Sequence, residues 1–286
     1  MTQPFDVCWD RIRRADTHRN AVAGVWNTFI EKESYTARVN VNNDGTGSIR
    51  IRQIEPIPSG VALEIGEFLY QLRAALDACI YETACVNEDA RPPADEDKLG
   101  FPICLGPHQF KNISWKVKPL TDEQRRLVEA IQPYTMPSGL KPAELPYSFN
   151  RAVGILDDWA RKDRHRKLHI VATQATRVRP MLRLPIGASV NHIRVVRDVF
   201  ILEDECEVAT FQIAGYRHGM DIQANPNLML DIGIDEIPPP CHHTDTLGFR
   251  MEVMEMGVGA IVGAIMKTLR IDPPKDFIVG NRRMAF

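Results

Sequence analysis

The chain has 286 residues, enough for one large domain or two small ones, and its 44% hydrophobic and 25% charged content is an ordinary globular balance. A formal net charge of −2 excludes bulk electrostatic attraction to nucleic acid or to an anionic membrane, leaving only local basic patches for such a role. Six scattered cysteines without a Cys-x-x-Cys, no secretory signal and no apolar run of membrane-spanning length lead us to expect a cytoplasmic protein whose cysteines are small core residues.

Phe5–Glu33 reads as a long helix with Phe5, Cys8, Trp9, Ile12, Val22, Val25, Trp26, Phe29 and Ile30 on its apolar side. Its polar middle, Arg13–Asn20, is a kink or an exposed face. Tyr35–Val41 alternates apolar and polar residues, and Ile49–Ile54 follows a turn rich in Asn, Asp and Gly, the pattern of a β-hairpin. Arg38, Arg50 and Arg52 share the outer face of that hairpin. We read it as a solvated strand face, with phosphate binding as the alternative.

Val61–Ala84 is a second helix, with Val61, Ile65, Phe68, Leu69, Leu72, Leu76, Cys79 and Ile80 forming a strong apolar stripe. Gly66 inside it costs about 1 kcal/mol relative to Ala, so close packing against its backbone is expected. Asn87–Gly100 is a charged, Pro-containing loop. Thr121-Asp122-Glu123-Gln124 is a capping box opening a short helix that stops before Pro133.

Projecting Phe149–His169 at about 100° per residue puts Phe149, Val153, Leu156, Trp159 and Ala160 on one stripe, which Asp163 continues. His165 points the opposite way. A carboxylate on a buried stripe requires a partner. Arg73, at i,i+4 from Asp77 on the edge of the second helix, is the expected one, with Arg166 completing the cluster.

After Ile170 the period changes. Met181–Leu184, His192–Val196, Val199–Leu202, Val208–Ile213 and Leu228–Ile234 are strand candidates and should form an antiparallel sheet. Thr246–Arg270 is a final helix whose Gly259, Ala260, Gly263 and Ala264 permit close packing within the domain or a homodimer contact. The expected architecture is a single α+β domain over 1–286: a helical bundle with an N-terminal β-hairpin and an antiparallel sheet in the C-terminal half. It is helix-rich over 1–170, β-rich over 171–237, and closed by the helix at 246–270.

Four segments in order, Leu72-Arg73-Ala74-Ala75-Leu76-Asp77, Phe101-Pro102-Ile103, Gln132-Pro133-Tyr134 and Asp163-Arg164-His165-Arg166, resemble the landmarks of a group of uncharacterised bacterial proteins. That resemblance covers about residues 60–170 and implies no established activity. It departs from the group's pattern at Ala78, where a histidine is expected, and at Arg164, where a lysine is expected. A looser resemblance is to HEPN-type helical domains, some of which are metal-independent RNases with an Arg-x(4–6)-His motif. Arg164 and His169 have that spacing, although on one continuous helix they would point about 140° apart.

Two readings follow. In the first, Arg73, Asp77, Asp163, His165 and Arg166 are catalytic in an HEPN-like RNA-binding or RNA-cleaving protein: arginine stabilises phosphate charge, His165 moves protons, the aspartates orient them, and no metal or cofactor is needed. In the second, the chain is a non-catalytic binding or assembly module and the cluster is a structural ion-pair network. A metal-dependent hydrolase, using His165 and His169 with Cys241, His242, His243 or Asp245, is less favoured. No Walker A loop, dinucleotide fingerprint or Gly-x-Ser-x-Gly elbow is present. RNA is the specific partner expected.

Overall fold

The computed structural model describes residues 3–32, 34–136, 148–165, 170–196, 200–201, 205–225, 228–234, 246–274, 278–279 and 282–283. The protein is α+β. It packs as two compact units, each discontinuous in sequence. The first comprises Met1–Ala23, Ala62–Leu168 and Gly248–Phe286, and the second comprises Gly24–Val61 and His169–Leu247.

The helices are α1 (Asp6–Glu31), α2 (Ser59–Glu88), α3 (Pro107–Asn112), α4 (Asp122–Ala130), α5 (Phe149–His165) and α6 (Leu247–Thr268). Most of the expected apolar stripe residues form the core of the first unit, while Val61 and the end of the α1 stripe from Val25 onward belong to the second. All eight stripe residues of α2 are fully buried, as are Cys8, Trp9 and Ile12 of α1 and Val153, Leu156 and Trp159 of α5. The capping box of α4 forms in both directions: Thr121 Oγ1 accepts from the Gln124 N–H, and Gln124 Oε1 accepts from the Thr121 N–H. Gly259 and Gly263 of α6 are buried, while Ala260 and Ala264 are half-buried. Asn87 and Glu88 end α2 and tie the charged loop down, Asn87 by donating to the Pro119 carbonyl and Glu88 by accepting from the Ala94 N–H.

In the second unit, β1 (Tyr35–Val41) and β2 (Thr46–Gln53) form the expected hairpin. Gly45, at φ +81°, makes its turn in the left-handed region that glycine tolerates. Further strands are β3 (Ile170–Val178), β4 (Met181–Arg183), β5 (Ser189–Val195), β6 (Phe200–Ile201), β7 (Glu205–Ala214), β8 (Gln223–Asn225) and β9 (Leu228–Ile234). The hairpin is not a separate ornament. It joins the later strands in one antiparallel sheet ordered β1-β2-β7-β5. The strand β3, absent from the sequence expectation, pairs with β6 and β9, while β4 pairs with β8. Two short strands, β10 (Ile278–Val279) and β11 (Arg282–Arg283), pair near the end of the chain.

Period-two alternation sorts the four-stranded sheet into two faces. One carries Ile49, Ile51, Cys206, Val208, Ala209, Phe211 and Ile213, all buried, with Leu182, Ala224 and Leu230 packed against them. The Phe211 ring lies over Gly47, its cross-strand partner, in the space a Cβ would take. The opposite face is polar.

Among the described residues no helix is long and apolar enough to cross a membrane.

Candidate functional site

Three of the four sequence landmarks meet in the helical unit around one extended segment, Gly100–Cys104. Arg73 and Asp77 lie one turn apart on α2 and hold it from one side. Arg73 Nη2 donates to the Phe101 carbonyl at 2.8 Å, and the Phe101 N–H donates to Asp77 Oδ1 at 2.8 Å. The i,i+4 spacing makes this grip possible, because residues so placed share one helix face. It satisfies both main-chain groups of a residue that belongs to no helix or strand. The two side chains also face each other at 3.7 Å. Gly100 completes the fit: a Cβ there would stand 3.3 Å from Asp77 Oδ1.

Gln132 holds the same segment from the other side. It is fully buried. Its Nε2 donates to the carbonyls of Pro102 and Val128, both at 2.9 Å, and its Oε1 accepts from the Cys104 N–H at 2.8 Å. Asn150 Nδ2, at the start of α5, donates in turn to the Gln132 carbonyl at 2.9 Å. The ring of Pro133 rests on Gly154, where a Cβ would come within 3.2 Å of it. Burial, with a hydrogen bond to Glu129, pushes Tyr134 up to about 12. The Leu-Arg, Phe-Pro and Gln-Pro landmarks are therefore one assembly held by side-chain bonds to main chain, with Arg73 Nη1 buried without a hydrogen-bond partner.

Asp163 packs against α2, as the stripe predicts, but not at Arg73. Its carboxylate lies on Gly66, where a Cβ would stand 3.0 and 3.1 Å from the two oxygens. Gly66 is two turns before Arg73, about 10 Å along the axis. The expected Arg73–Asp163 pair is thus replaced by Arg73 on Phe101 and Asp163 on Gly66. His165 is the last residue of α5. Its side chain lies outside the described residues, as do the Arg164 side chain and the whole of Arg166 and His169. The candidate metal ligands Cys241, His242, His243 and Asp245 lie outside them too. Among the described residues no group of three or more His, Cys, Asp or Glu is placed to hold a metal ion.

A cleft of about 790 Å³ opens beside the clamp between the first turns of α1 and the middle of α2. Ala74 and Ala78 line it with Tyr70 and Tyr81. Arg11 sits over the Tyr70 ring and Arg91 over Tyr81, with guanidinium carbons 5.9 and 5.8 Å from the ring centres. Arg91 also makes a two-pronged pair with Glu82, at 3.0 and 2.5 Å, and those hydrogen bonds raise its pKa. Arg11 donates to Gln71 at 3.2 Å. Asp77 borders the cleft and is part exposed there.

A second polar cluster escaped the sequence reading. The polar middle of α1 is partly buried. It runs as continuous helix and turns His18 onto Glu64 at 2.7 Å and Arg19 onto Glu255. Glu255 is fully buried on α6. Its two oxygens share the single Nε–H of Arg19, each at 3.1 Å, while Arg19 Nη2 bonds Asp16. One guanidinium thus serves two carboxylates. Burial dominates, and it pushes Glu255 up to about 8. The signal was present: Glu255 lies between Met254 and Met256 in an apolar helix, the same situation that drew attention to Asp163.

Comparison with protein-family models, with curated proteins and with solved structures gave no match to this chain.

Proposed function

We propose that this chain is a non-catalytic binding protein, with the landmark residues serving architecture and the cleft between α1 and α2 receiving a small ligand. The observation that carries the reading is the double grip on Phe101. An RNase of the expected kind needs an arginine free to offer N–H groups to a pentavalent phosphate. Arg73 has one terminal nitrogen on the Phe101 carbonyl, and its other, Nη1, is buried without a hydrogen-bond partner. Asp77 Oδ1 is taken by the Phe101 N–H. The cleft supports the binding half of the reading. Its volume falls within the roughly 300–1,000 Å³ common for ligand pockets, and two tyrosine rings with arginines above them offer apolar surface and charge together. Five free, buried cysteines among the described residues suit a reducing compartment and support a cytoplasmic location under this reading.

The test is RNA cleavage by the purified chain, with and without EDTA, beside Arg73→Lys and melting curves for both proteins. The binding-protein reading expects no cleavage and a lowered melting temperature in the variant. Cleavage that survives EDTA and disappears in a variant with unchanged melting would overturn it in favour of the HEPN-like, metal-independent ribonuclease.

A further inference from the structure

We infer that the polar face of the four-stranded sheet binds the sugar–phosphate backbone of duplex RNA. This inference concerns the second unit only and uses neither the clamp nor the cleft, so it stands or falls apart from the proposed function.

Strand register lays the face out in rows. Arg38 stands opposite Arg50, which stands opposite Glu207. The next row crosses all four strands as Asn40, Ser48, Thr210 and Arg194. The row after it brings Thr46, Gln212 and His192 together, with Asn42 donating to Thr46 Oγ1. A groove of about 460 Å³ lies over the second and third rows, lined by their amides, hydroxyls and His192 and bordered by Glu207, with the arginines outside it.

The arrangement makes little sense as a stabilising surface. Like charges directly opposite on paired strands are unfavourable, yet Arg38 faces Arg50. Arg50 is held by Glu205 at 3.9 Å, which leaves Arg38 without compensation. Among the described residues, the side chains of Arg38, Arg52, Arg194, Asn40, Ser48 and Thr210 have no hydrogen-bond or ion-pair partner. Four arginines stand against two glutamates on this face, in a chain whose overall charge is −2. Positive charge is thus concentrated here against the trend of the molecule, and a polyanion complements it.

The uncharged residues narrow the choice of polyanion. Among the described residues of the four strands, the register rows of this face hold no Phe, Tyr or Trp. Phe211, which reaches the groove, has its ring packed on Gly47 and belongs to the buried cluster, so it offers no open platform on which single-stranded bases could stack. A row of amides and hydroxyls between arginines instead suits a partner with hydroxyls between phosphates. The wide, shallow minor groove of A-form RNA presents 2′-hydroxyls in that way. Arg38, Arg52 and Arg194 would take phosphate oxygens, and Asn40, Ser48 and Thr210 the 2′-hydroxyls, without reading base sequence.

The experiment is fluorescence anisotropy of a labelled mixed-sequence RNA duplex with the full chain, over a salt series, beside a DNA duplex of the same sequence. The inference expects binding at low salt that weakens steeply as salt rises. Replacing both Arg38 and Arg194 by Gln should weaken it by about tenfold or more and flatten the salt dependence by about one unit of slope per arginine. Thr210→Ala should weaken RNA binding and leave DNA binding unchanged. Absence of binding by the folded chain, unchanged affinity in the double variant, or DNA bound as tightly as RNA would each overturn it.

Discussion

The clamp around Phe101 and the outer face of the sheet are both polar and both use arginine, but the clamp's bonds turn inward while the sheet's face is open. In the clamp, Arg73, Asp77 and Gln132 meet the main chain of Phe101, Pro102 and Cys104, and their hydrogen bonds end inside the protein. On the sheet, Arg38, Arg194 and the Asn40–Ser48–Thr210 row point outward with bonds still to make. The difference teaches how to weigh a polar cluster. Buried unpaired groups cost about 1–3 kcal/mol each, so a closed network is retained for stability, whereas an open one contributes little to folding and is available for recognition.

The contrast breaks first at Gln132. Gln132→Ala removes partners from the Pro102 and Val128 carbonyls and from the Cys104 N–H, and we expect it to destabilise the helical unit by about 3 kcal/mol or more by chemical denaturation. A loss below about 1 kcal/mol would mean the clamp is not closed in the sense used here.

A smaller effect is expected at the Asp163 contact. Gly66→Ala gains about 1 kcal/mol in helix propensity but forces a Cβ to within 3.0 Å of the carboxylate, an overpacking cost of about 1–3 kcal/mol. We expect net destabilisation that shrinks in an Asp163→Ala background, a coupling that a double-mutant cycle reads directly.

Glu255 sharpens the comparison through pH. Its folded pKa is raised from 4.5 to about 8, because burial outweighs the shared help of Arg19. A raised carboxyl pKa contributes stability that is fully present below the unfolded value and lost as pH rises through the folded one. Stability attributable to Glu255 should therefore decline between about pH 4.5 and pH 8. Glu255→Gln should flatten that slope in thermal melts taken across this range. An unchanged slope would show that Arg19 keeps the carboxylate ionised throughout.

The smallest effect belongs to the sheet. Arg38→Gln should change folding stability by no more than about 0.5 kcal/mol, as expected of an exposed position without partners. A large loss would move this face to the closed class.

Much of this was legible in the chain. The stripes of α2 and α5, the capping box at Thr121 and the need for close approach at Gly66 all follow from local spacing. Helical projection also placed Asp163 against α2. It did not place it along α2, because a periodic stripe fixes which face is buried and leaves the axial position to side-chain packing. That is why Asp163 was matched to Arg73 and lies instead at Gly66. The union of β1 and β2 with β7 and β5 was invisible for a related reason: pairing partners about 160 residues apart leave no local mark. Arg73's true partner was hidden because it is a main-chain carbonyl, which every residue possesses. Glu255 does carry a local mark, since a glutamate between Met254 and Met256 in an apolar helix signals a buried carboxylate just as Asp163 does below Trp159.

The most direct test of the closed clamp is hydrogen exchange at the Phe101 amide, followed by NMR in the native protein and in Asp77→Ala. The account predicts that Phe101 is protected although it belongs to no helix or strand, and that protection collapses in the variant while the core amides of α2 remain slow. Free exchange of Phe101 in the native protein, or equal protection in the variant, would contradict it.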